Sequence, residues 1–267
     1  MKLALIVASL AGCAAAQGLT DVPPILQIIR KPGTGGNGTI RPYNGVKAAV
    51  DVVGMTAITG LPETWGIELH QTFAEIEDLD RALASFPVNG ANYAQPTPED
   101  ILAPSRTMIL LYQPGWSYRP QEAVRRLPRA RYFHVSIYRM QPGAEADLGE
   151  LMRLRRHEMD SVNLDRPDLV YRVVSGAPSG TYIILSPMLS LKPLDDGIAK
   201  LPVFAEPLAA AEAAGTKVAA SRELSREHLL MRVEPSQSYV SDDFAVADPE
   251  FWRGKSGGDG LRPQVRE

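Results

Sequence analysis

The chain carries one order of landmarks twice, and that repetition constrains its fold more than any single motif. An apolar run reaches a Pro-Gly at Ile25–Gly33 and again at Phe133–Gly143. Two shorter runs split by a Gly/Pro turn follow, at Ala57–Leu69 and at Val173–Leu185. Thr72 and Ser190 then stand where a helix would begin, three residues ahead of an acid and of a proline respectively. A last apolar run ends each unit in P-x-x-S-Y, at Met108–Tyr118 and at Leu229–Tyr239. Matching landmarks lie about 110 to 121 residues apart. Short apolar runs bounded by Gly and Pro predict strands.

Between the first two landmarks of the second unit, Ala144 to Val162 predicts an amphipathic helix. Leu148, Leu151, Met152, Arg155 and Met159 fall on one side of it. The unit therefore runs strand, helix, strand, strand, helix, strand, which is the split βαβ order of ferredoxin-like folds. The first unit spends its first helix slot on glycine-rich turns and leaves Val46 to Val53 as a short helix. Ala205 to Ala220 predicts a further helix at the rim. The organisation expected is a signal peptide over 1–16, repeats over 24–123 and 130–244, and a flexible tail over 253–267. The fold class expected is α+β, with tandem ferredoxin-like repeats closing into one barrel within the chain.

Met1-Lys2, the apolar Leu3 to Leu10 and the small residues Ala14 to Ala16 read as an export signal too short to span a bilayer. Cleavage after Ala16 is the favoured processing. The alternative is lipidation at Cys13, since Leu10-Ala11-Gly12-Cys13 resembles a lipobox. A periplasmic or secreted location follows, or an outer-membrane lipoprotein by the second route. The Asn37-Gly38-Thr39 sequon carries no weight. With 28 Lys+Arg against 31 Asp+Glu there is no basic field to attract a nucleic acid. The single cysteine excludes an internal disulfide and a cysteine-rich metal site.

Arg131-Tyr132-Phe133 ahead of Pro142-Gly143, the Val174–Pro178 turn and the twin P-x-x-S-Y tails resemble the dimeric α/β-barrel superfamily over about residues 24 to 252. That superfamily includes antibiotic-monooxygenase-like and NIPSNAP-like domains, and the likeness is closest to exported bacterial proteins of unknown function. The resemblance implies two four-stranded antiparallel sheets meeting as a barrel with helices outside, here as a pseudo-dimeric monomer. It implies no particular reaction, because the superfamily hosts oxygenases, haem enzymes and binding proteins alike.

In the strand after Arg131 a period of two puts Phe133, Val135 and Ile137 on one face. Tyr132, His134, Ser136 and Tyr138 take the other. The aliphatic face is expected to meet the helices and the polar face to line the barrel. His228 and Arg232 from the last strand, with Tyr171 and Tyr182, complete that wall. The candidate ligand-binding residues are thus His134, Tyr138, Tyr132, Ser136, Tyr171, His228 and Arg232. A lone strand histidine is most simply a packing residue. His157 sits in a charged helical run and His70 at a strand end. No H-x-x-x-H, G-x-S-x-G, Walker or G-x-G-x-x-G motif occurs, so no metal and no cofactor is expected. Tyr118 and Tyr239 are expected to anchor the chain, rings buried and hydroxyls bonded.

Three functions fit. The leading expectation is a non-catalytic or scaffold role in the envelope, with a small apolar or aromatic ligand. The alternatives are a cofactor-independent monooxygenase or isomerase acting on a small aromatic substrate, and haem binding through one histidine.

Overall fold

A computed structural model describes residues 19, 21–33, 50–71, 77–78, 106–200 and 222–254. The expectations for the export signal, Cys13, the sequon, the 205–220 helix and the tail beyond residue 254 lie outside them. Eight strands form one closed antiparallel barrel: β1 (Ile25–Pro32), β2 (Asp51–Ala57), β3 (Glu63–His70), β4 (Arg106–Tyr112), β5 (Tyr132–Met140), β6 (Leu169–Ser175), β7 (Thr181–Met188) and β8 (Glu223–Val233). Around the circle the order is β1-β3-β2-β8-β5-β7-β6-β4. Each run of four strands from one repeat therefore reads fourth, first, third, second, and the two runs join at β2–β8 and β4–β6.

The helices sit outside or between. α1 (Pro120–Arg126) and the tight turn after it connect the repeats, and α2 (Glu145–Ser161) crosses from β5 to β6. α3 covers residues 192–200. α4 (Asp242–Ala245) and α5 (Pro249–Arg253) close the described chain, so Arg253 belongs to a helix and not to the tail. The short helix expected over Val46 to Val53 is corrected at its end. Asp51 already pairs with Leu69, because alternate residues Val53 and Met55 have the barrel interior to fill.

All eight strands send alternate side chains into that interior. Leu26, Ile28, Val53, Met55, Trp65, Ile67, Met108, Leu110, Phe133, Val135, Tyr171, Ile183, Leu185, Leu229 and Met231 make one core. An eight-stranded barrel is just wide enough for side chains to fill it, and the void left here is about 10 Å³. That volume holds one water at most. The connection between repeats adds Ala123, Val124, Leu127 and Ala130 to the same core. Arg30 lies 4.7 Å over the Trp65 ring and is held there by a bidentate pair with Glu63.

The two P-x-x-S-Y tails act alike, through serine. Ser117 Oγ donates to the Gln113 carbonyl and accepts the Val170 N–H of β6. Ser238 Oγ donates to the Glu234 carbonyl and accepts the Gly54 N–H of β2. Each serine thus ties the end of one repeat's last strand to the second strand of the other. Of the tyrosines, Tyr118 is buried with its hydroxyl against Asp160, as expected, whereas Tyr239 is only half-buried.

Candidate functional site

The faces of β5 are the reverse of those expected. Phe133 and Val135 enter the barrel, whereas His134, Ser136 and Tyr138 point outward, beneath the side that α2 packs on. The closed, almost fully packed interior selects apolar side chains from every strand. The outer face is roofed by helices over part of its area and so tolerates polar groups. Tyr171 is corrected with it: its ring is in the core and its hydroxyl donates to the Pro23 carbonyl at 3.0 Å. Arg232 is exposed and paired with Glu234, and Tyr132 stands directly across from it at the strand end.

The register of β5 against β8 builds the cluster. Ser136 faces His228, and its Oγ lies 2.9 Å from His228 Nδ1. His134, one diagonal away, stacks on His228 with centroids 5.5 Å apart and planes at 26°. Tyr138 meets His228 edge-on at 6.4 Å, and Arg226 covers the Tyr138 ring at 4.8 Å. Of the expected residues, the structure brings together His134, Ser136, Tyr138 and His228. It separates from them Tyr171, Tyr132 and Arg232. His157 is exposed, and His70 lies 3.3 Å from Glu68 at the end of β3.

Two arginines complete the site. α2 carries Arg155 in its otherwise apolar stripe beside Leu148, Met152 and Met159. Arg155 Nη2 donates to Asp168 Oδ2 at 2.7 Å, and Asp168, wholly buried, accepts the Tyr118 N–H with Oδ1. Arg166, in the segment between α2 and β6, acts electrostatically on both histidines. Burial, then Arg166, His228 and Arg155, holds the His134 imidazole at about 4, so it is neutral at pH 7. Burial and Arg226 lower His228 as well. The Arg155 in the stripe was a legible signal, since an ionised side chain at core spacing needs a buried partner. Nothing in the sequence marked Arg166.

Among the described residues no group of three or more His, Cys, Asp or Glu is placed to hold a metal. The expectation of haem binding through one histidine falls on His134 and His228, whose rings stack on each other 5.5 Å apart. No described helix is long and apolar enough to cross a membrane.

No family model matches the sequence, and no curated protein is similar to it. Solved structures are similar in fold. An anthrone oxidase-like protein aligns with TM-score 0.53 at 13% identity, covering 82% of this chain and 94% of that one. A candidate monooxygenase from Lactobacillus acidophilus gives TM-score 0.42 at 12% identity, over 82% of this chain and all of its own, 100%. A chlorite dismutase mutant from Candidatus Nitrospira defluvii in complex with cyanide gives 0.42 at 10%, over 86% and 97%. The expectation of a non-catalytic envelope scaffold is corrected by the anthrone oxidase-like neighbour, which carries the name of an enzyme, and its polar barrel interior by the packed core. The eight-stranded barrel closed within one chain, with its helices outside, has the fold of the dimeric α/β-barrel superfamily.

Proposed function

We propose that the protein is an enzyme that moves a proton on a small aromatic substrate bound over the outer face of β5 and β8, as a cofactor-independent monooxygenase or an isomerase. The observation that carries this reading is the stacked, neutral histidine pair with Ser136 bonded to one of its rings. A neutral imidazole accepts a proton, and the hydroxyl fixes which His228 nitrogen is free to do so. Aromatic edges at Tyr138 and Tyr182 suit a flat apolar substrate.

In this reading His134 or His228 removes a proton from an acidic C–H or O–H of the substrate. An isomerase returns it at another carbon. A monooxygenase lets the resulting anion reduce dioxygen, the co-substrate: one oxygen atom enters the product as a new C=O, and the other leaves as water with the two hydrogens lost from the substrate carbon. The likeness to an anthrone oxidase-like protein makes anthrone, whose CH₂ lies between two aromatic rings, the probe of choice. Oxygen uptake with anthrone should be lost in His134→Ala and reduced in Ser136→Ala. Uptake that persists at the wild-type rate in both His134→Ala and His228→Ala would overturn the assignment.

We infer also that the repeats are tandem ferredoxin-like units, which the strand order around the barrel supports. Export, by cleavage after Ala16 or lipidation at Cys13, belongs to the same reading. The intact mass of the protein recovered from a cell envelope distinguishes the two.

A further inference from the structure

Arg155 and Arg166 carry more positive charge than their surroundings balance. Asp168 spends Oδ2 on Arg155 Nη2 and Oδ1 on the Tyr118 N–H, so both its oxygens are taken. Arg166 forms no ion pair among the described residues, and the burial of this unpaired group, followed by Arg155, pushes its guanidinium down. Glu158 bears on Arg155 least of its neighbours and makes no ion pair with it, and Glu223 is already paired with Arg226. Arg155 Nη1 and Arg166 Nε are both sealed from solvent without a hydrogen-bond acceptor. A buried charged donor left unmade is among the costliest features a fold retains. The histidines beside it are neutral, so they add no charge of their own.

We propose that Arg166 Nε and Arg155 Nη1 bind the oxyanion of an aromatic monoanion, a carboxylate or a phenolate, which sets the charge of the substrate. The proposal rests on the outer face of β5 and β8 being the substrate site. A substrate anchored this way lies with its ring over the histidines, and the guanidiniums lower the cost of any further negative charge that deprotonation creates. The same excess charge repels cationic substrates.

The test follows the imidazole proton resonances of His134 and His228 in the full-length protein during titration with benzoate, 4-nitrophenolate and neutral benzamide. At least one anion should bind about tenfold or more tighter than benzamide, as expected of one charged hydrogen bond of about 1.4 kcal/mol or more. The better of the two anions distinguishes carboxylate from phenolate. Arg166→Gln should abolish the preference, Arg166→Lys should retain part of it, and both should melt no lower than wild type, because Arg166 is unpaired. Equal binding of anions and benzamide, or an anion preference unchanged in Arg166→Gln, overturns the oxyanion site and leaves the aromatic site standing. Titrations that move neither histidine overturn both. Comparison of the ligands on wild-type protein decides the matter even if a variant fails to fold.

Discussion

The outer faces of the two repeats are built on the same strand order and differ in chemistry. On β1 the outward residues are Ile25, Gln27 and Ile29, opposite His70, Glu68 and Gly66 of β3. On β5 they are His134, Ser136 and Tyr138, opposite Ser186, Ile184 and Tyr182 of β7, with His228 supplied by β8. On the outer face of the first repeat His70 lies 3.3 Å from Glu68; on that of the second a stacked histidine pair feels the charge of Arg155 and Arg166. Both halves of the barrel share the strand order and the serine ties that close it. The side chains outside the barrel differ, and among the described residues the stacked histidine pair stands on one face alone.

The sharpest way to break this comparison is activity. His134→Ala should reduce turnover by about 10²-fold or more, the range of a positioned acid-base group, whereas Gln27→Ala on the other face should change it by less than about twofold. Equal losses at both positions, read as steady-state rates on folded protein, would place the site elsewhere. The next largest effect is structural. A Cβ at Gly54 would lie 2.5 Å from the Gln237 carbonyl oxygen and 2.8 Å from its carbon, both backbone. Gly54→Ala should cost about 3 kcal/mol in urea unfolding, at the upper end of overpacking. Val170, whose N–H the other serine takes, is buried against α2, so Val170→Gly should destabilise by the opposite route, through a cavity. A neutral Gly54→Ala would show that the second repeat's tail, which carries Gln237 and Ser238, is held more loosely than the first's.

The repeat made much of the fold legible, because strands stopped by Pro-Gly and Gly/Pro turns recur in order; β2 is the exception, starting at Asp51 inside the stretch expected as a helix. The period of two also sorted β5 correctly into two faces. It did not say which face was inside. Phe133 and Val135 suit either a barrel interior or a helix interface, and only closure of the eight strands, a long-range property, makes the interior the drier of the two. That inversion sent Tyr171 to the site and hid what roofs it. Arg166 comes from a segment with no periodicity, and its place beside His134 depends on how that segment returns to β6.

The serine ties test what the repeats share. Ser117→Ala and Ser238→Ala should each cost about 1–3 kcal/mol, since each strands a backbone N–H, that of Val170 or of Gly54. Near-equal values in urea unfolding would support a common device; a loss at Ser117 alone would confine it to the buried Val170 tie.

The smallest effect sharpens what is not shared. His134 has its folded value held at about 4, below its ordinary 6.5, by burial first and then by Arg166. The folded state therefore resists protonation that the unfolded chain accepts, so the stability this group contributes is complete above about 6.5 and is lost as pH falls toward about 4. His228 acts in the same direction. After discounting for its partial exposure, about 1–2 kcal/mol should disappear over that window. Carboxylates elsewhere also weaken the fold in acid, so the informative quantity is the difference between wild type and His134→Gln. The variant should lose less stability between pH 6.5 and 4, and two parallel curves would mean that His134 is hydrated and titrates as it does in the unfolded chain.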